Sequence, residues 1–60
     1  MSTILNRITY SYQVDNYLMT STVDYSRKYP LTHIGAARIM KKNGIDFVSI
    51  HQIQTFIDER

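Results

Sequence analysis

Between residues 8 and 25 large apolar and small polar side chains follow one another by turns. Ile8-Thr9-Tyr10-Ser11-Tyr12-Gln13-Val14 sets the pattern, and Tyr17-Leu18-Met19-Thr20-Ser21-Thr22-Val23-Asp24-Tyr25 resumes it after Asp15-Asn16. A period of two sends successive side chains to opposite faces of a strand. Asp15-Asn16 tolerates the positive φ angles of a two-residue turn, although the usual glycine is missing. Such a turn opposes Val14 to Tyr17, Tyr12 to Met19, Tyr10 to Ser21 and Ile8 to Val23. Every large apolar group except Leu18 then lies on one face, and Thr9 with Thr22, Ser11 with Thr20, and Gln13 with Leu18 make up the other. A slip of one residue would scatter the apolar set over both faces, so the register is specified along with the hairpin, predicted over 6–25.

The chain has 60 residues and no cysteine, which predicts one small domain, 1–60, without disulfide staples. A chain of this length buries only about 60% of the surface its unfolded form exposes, and forming a homodimer would add to that. With 43% of residues hydrophobic, it can fold, but nearly every apolar side chain is wanted for the core. A catalytic cleft is therefore not expected, nor a cofactor, a metal or a small-molecule substrate. His33 and His51 have no acidic neighbour at dyad spacing and are read as surface or capping residues. Gly35 and Gly44 are isolated and form no phosphate-binding loop. No apolar run reaches the roughly 20 residues of a membrane span, and none near the start has signal-peptide length. The expectation is a cytoplasmic protein that does not contact membrane.

After Pro30, Thr32 is placed to cap a helix over 32–43. Its apolar stripe is Ile34, Ala36, Ala37, Ile39 and Met40, and Asn43-Gly44 ends it, glycine being suited to the left-handed cap. Ile50, Ile53, Phe56 and Ile57 recur at helical spacing, and Ser49-Ile50-His51-Gln52 has the form of a capping box, predicting a second helix from 47 or 50 to 59. Residues 45–48 are either a short third strand or the start of that helix. The fold class is α+β, a hairpin followed by two helices.

Charge is uneven along the chain. Arg27, Lys28, Arg38, Lys41 and Lys42 fall between residues 27 and 43 with no acid among them, while the flanking segments are net acidic. A local basic block can create a positive surface that the net charge of +2 hides. The segment Gly44-Ile45-Asp46-Phe47-Val48-Ser49-Ile50-His51-Gln52-Ile53 resembles the turn and recognition helix of a helix-turn-helix DNA-binding unit. Gly44 would close the turn, Asp46 would cap the second helix, and Ile50 and Ile53 would lock it onto the first. The resemblance implies that Ser49, His51, Gln52 and Thr55 read bases while the five basic residues neutralise phosphates. Asn43 and Met40 depart from the motif, which prefers an apolar and a small residue there. The first reading is accordingly a small, dimeric, non-enzymatic regulator that binds duplex DNA, of phage or mobile-element type.

The tyrosines carry the second reading. Tyr10, Tyr12, Tyr17 and Tyr25 lie on the hairpin's apolar face, which two short helices do not fully cover, and uncovered tyrosines suit an interface with a larger host protein. In size and element order such a chain resembles the compact strand-strand-helix proteins with which bacteriophages inhibit host enzymes. That likeness implies an inhibitor or adaptor acting through the tyrosine-rich sheet or the basic helix.

Overall fold

The computed structural model describes residues 2–59 and contains, among them, three strands and one helix. These are β1 (Ser2–Val14), β2 (Tyr17–Arg27), α1 (His33–Lys42) and β3 (Ser49–Glu59). The strands form an antiparallel sheet in the order β2-β1-β3, with β1 central. The molecule measures 44 × 17 × 15 Å, and its long axis matches the length of β1 at about 3.4 Å per residue.

The β1–β2 pairing has the register required by the alternation. Val14 opposes Tyr17, Tyr12 opposes Met19, Tyr10 opposes Ser21 and Ile8 opposes Val23, and the ladder continues without a shift to Ile4 and Arg27. The hairpin is thus longer than 6–25 at its open end. Asp15 takes φ 54° at the turn, a conformation that Asp adopts more readily than most residues.

The predicted second helix is absent. Residues 49–59 form β3, paired with β1 from Ser11–Ser49 to Ser2–Glu59. Residues 45–48 are neither strand nor helix but the loop that delivers the chain to β3. The helical spacing of Ile50 and Ile53 has a different cause. Ile53 opposes Ile8 and Ile50 opposes Tyr10, with the register shifting between Thr9 and Tyr10. His51 is therefore an extra residue, a β-bulge, and it lets two isoleucines three apart share one face of a strand. Ile53 and Ile57 are four apart and share that face by ordinary alternation. A two-stranded hairpin is marginal alone, and the free edge of β1 accepts a segment rich in β-branched residues.

Helix α1 forms as expected at both ends. Thr32 Oγ1 accepts from Gly35 N at 3.1 Å. At the other end Gly44 stands at φ 77°, with Ile45 N donating to the Met40 carbonyl at 2.9 Å and Gly44 N to that of Lys41 at 3.1 Å. This is the Schellman closure, and it turns Ile45 back onto the core. The stripe is narrower than predicted, since Ala36 and Met40 are buried but Ile34 is 69% exposed.

The core lies between α1 and one face of the sheet. Ile8, Leu31, Ala36 and Met40 are its buried members, with Tyr10, Val23, Tyr25, Ile39, Ile45, Phe47, Ile50 and Ile53 packed around them. Asn6 is fully buried on this face. Its Oδ1 accepts from Leu31 N at 2.9 Å, and its Nδ2 donates toward the carbonyls of Ile4 (3.3 Å), Tyr25 (3.4 Å) and Tyr29 (3.3 Å). One side chain thereby ties the β2–α1 connection to the central strand.

The opposite face is polar. There Arg7 makes a two-point ion pair with Asp24, Nε to Oδ1 at 3.0 Å and Nη2 to Oδ2 at 3.1 Å. The Arg7 guanidinium also lies 5.3 Å from the centre of the Phe56 ring, so one residue links all three strands. The hydrogen bonds from Arg7 hold the Asp24 carboxyl below its ordinary pKa, against a smaller opposing effect of burial. A lowered folded-state pKa adds stability above the unfolded value, and that stability is lost as pH falls through the folded one. Asp24→Asn is therefore expected to be less stable than the parent at neutral pH, with the two converging in acid. Thermal melts from pH 7 to pH 2 measure this, and the pair being solvent-exposed, the gap is small.

Candidate functional site

The site follows from a mismatch of lengths. A helix of 10 residues is about 15 Å long, whereas β1 is nearly three times that, so α1 covers only part of the sheet. Strand β3 begins opposite Ser11. Beyond that point, among the described residues, β1 and β2 continue alone as a two-stranded ribbon, from Tyr12 through the turn to Thr20. Its tip stands about 10–14 Å past the end of β3.

The ribbon is apolar and uncovered. Tyr17 is 72% exposed, Leu18 63%, and Val14 and Met19 46% each. Val14, Tyr17 and Met19 share the face that carries the core further along, while Leu18 stands opposite Gln13 on the other face. Asp15 is the charged residue of this stretch. Tyr12 is half-buried, its ring 6.0 Å from that of Tyr10 at 45°, and it marks the boundary between core and ribbon. Aromatic and aliphatic side chains displayed together on a hydrogen-bonded ribbon make an exposed apolar surface of the kind that protein interfaces use.

The four tyrosines singled out from sequence thus divide. Tyr10 and Tyr25 pack against the core, and the Tyr25 hydroxyl accepts from Asn43 Nδ2 at 3.5 Å. Tyr12 is intermediate and Tyr17 is free. Val14, Leu18 and Met19 were missed as surface residues, although Leu18 was legible as the one large apolar group on the polar face of the predicted hairpin. Tyr29, also absent from the sequence-based set, is 57% exposed.

The helix-turn-helix reading is overturned by the strand at 49–59. Ser49 opens β3 with its Oγ 2.9 Å from Ser11 Oγ, His51 is the bulge residue, Gln52 opposes Thr9 and Thr55 opposes Asn6. Gln52 and Thr55 therefore point to opposite faces of an edge strand, and there is no second helix to present these four side chains to a major groove. With that helix go the DNA-binding and transcription-regulation readings. Of the basic block, Arg27 closes β2 with its guanidinium 5.6 Å from the Tyr25 ring centre, and Lys28 is exposed in the bend that follows. Arg38 forms part of the wall of an open groove of about 340 Å³ beside Tyr29, Leu31 and Ile39. Lys41 and Lys42 occupy the last turn of α1, where they complement the negative helix end.

Among the described residues no three His, Asp or Glu side chains converge as a metal site, and no helix is long and apolar enough to cross a membrane. No protein-family model matches the chain, and no curated protein or solved structure matches it significantly.

Proposed function

We propose that this chain is a non-enzymatic protein-binding module, an inhibitor or adaptor that engages a larger protein through the β-ribbon of residues 12–20. The observation that carries this reading is the exposure of Val14, Tyr17, Leu18 and Met19 beyond the reach of α1 and β3. In a small domain short of core material, four large apolar side chains left in water cost solubility, and a partner's pocket recovers what the fold leaves out. The ribbon's charge is confined to Asp15 at the tip, which suits an apolar cleft with a basic rim.

The test compares capture of proteins from the source cell by the tagged chain and by two variants. Tyr17→Ser with Leu18→Ser removes the tip's exposed anchors and leaves the core untouched. Lys41→Ala with Lys42→Ala alters the helix instead. The ribbon variant is expected to lose roughly a thousandfold in affinity for the captured protein, at about 2 kcal/mol for each anchor, while retaining the parent's circular dichroism. Equal capture by the parent and the ribbon variant would refute the reading, and loss confined to the lysine variant would move the site to α1.

A further inference from the structure

The two edges of the sheet are built differently. β3 carries a bulge at His51, which interrupts the ladder and blunts that edge against further pairing. β2 pairs with β1 through its full length without a register shift. Its 11 residues, YLMTSTVDYSR, contain no proline, glycine or lysine, and among the described residues no strand covers its outer edge. Natural sheets seldom leave a long, regular edge without such protection unless something pairs with it.

We propose that the occupant of this edge is a second copy of the chain, with β2 pairing antiparallel to β2 about a two-fold axis through Thr22. The backbone sets the parity. In a hairpin with a two-residue turn the residues flanking the turn exchange both hydrogen bonds, so Tyr17, Met19, Ser21, Val23 and Tyr25 direct their N–H and C=O groups to β1. Leu18, Thr20, Thr22, Asp24 and Ser26 direct theirs outward. An antiparallel partner must therefore bring these outward residues opposite one another, and the register centred on Thr22 does so with all of β2 overlapped.

The side chains agree in that register. On the helix-bearing face Met19 meets Tyr25 of the second copy, a thioether against an aromatic ring. Tyr17 meets Arg27, whose guanidinium is already stacked on Tyr25, so a second aromatic ring closes on its other side. On the polar face Thr22 meets its own copy, Thr20 meets Asp24 and Leu18 meets Ser26, with no like charges opposed. Asn16, one step past Tyr17, comes opposite Lys28 of the second copy. A shift by two residues would oppose Leu18 to Asp24 and shorten the overlap at the base.

The product is a continuous six-stranded sheet with both helices on one side. Its outer edges are the two bulged β3 strands, so assembly closes at two copies. Tyr17, Leu18 and Met19 also flank this pairing, but the dimer rests on the backbone edge centred on Thr22, and substitutions at Thr22 test it separately from the proposed protein-binding role.

The absence of native cysteine makes single-cysteine variants direct reporters. Sedimentation equilibrium of the full chain is expected to give a dimer and nothing larger. Thr22→Lys places like charges face to face on the axis and is expected to raise the dimer dissociation constant tenfold or more. Because Thr22 is exposed, the variant's monomer keeps the parent's fold. Thr22→Cys is expected to be bridged efficiently by a short thiol cross-linker, and Gln52→Cys, on the β3 edge, is not. A chain that stays monomeric to millimolar concentration, a Gln52→Cys variant bridged as well as Thr22→Cys, or growth beyond two copies would each overturn the proposal.

Discussion

Asn6→Ala is expected to lower the unfolding free energy by about 2–3 kcal/mol, since it strands a buried N–H at Leu31 and strips a donor from the carbonyl of Tyr29. A 60-residue domain has roughly 3–9 kcal/mol in all, so the change consumes a large share and lowers the melting temperature by roughly 10–20 °C. Asn6→Asp tests the hydrogen-bond assignment more sharply. The acceptor for Leu31 N survives, but the second oxygen now faces carbonyls where an N–H₂ had donated. Burial and these carbonyls disfavour the ionised form, so the introduced carboxyl has a folded-state pKa above the ordinary value of about 4. Stability relative to the parent is therefore greatest below the unfolded pKa and is lost as pH rises through the folded one. Denaturant titrations at pH 3.5 and pH 7 measure the difference. A penalty that is the same at both values would show that Nδ2 is not the donor.

Ile8→Ala is expected to cost about 2–5 kcal/mol, the range for truncating a fully buried aliphatic side chain and leaving a cavity. Ile8 is completely inaccessible, sits on the central strand and lies between Val23 and Ile53 in the sheet. Ile34→Ala is the control. Both isoleucines satisfy the apolar pattern of their element, but Ile34 points into solvent, and its truncation is expected to change stability by no more than about 0.5 kcal/mol. Chemical denaturation of the two variants side by side measures the contrast. Comparable losses would mean that α1 is rotated relative to the sheet.

What could be read in advance depended on how far along the chain the deciding partner lay. The β1–β2 register was legible because both strands, their alternation and their turn fall within one local stretch, and a slip would reverse the face of every side chain. Both ends of α1 were legible for the same reason, Thr32 and Gly44 acting on backbone groups a few residues away. The segment 49–59 was misread because Ile50 and Ile53 fit a helix as well as a bulged strand. Their spacing is unambiguous only once Tyr10 and Ile8, 40 and 45 residues distant, stand opposite them. The exposed ribbon was half legible. Tyr17 could be singled out from its face of the hairpin, but Tyr10 and Tyr25 share that face and are used in the core.

The local order of polar and apolar residues determines the hairpin, its register and the termini of α1, since each rests on contacts between near neighbours. The identity of β3 was decided only when β1 offered an open edge and the bulge at His51 reconciled a three-residue spacing with a two-residue period. Which tyrosines serve the core and which stand free was decided by length. A helix of 10 residues cannot cover a strand of 13, because a helix advances about 1.5 Å per residue and a strand more than twice that. The ribbon left uncovered at the turn is the surface we propose for a partner.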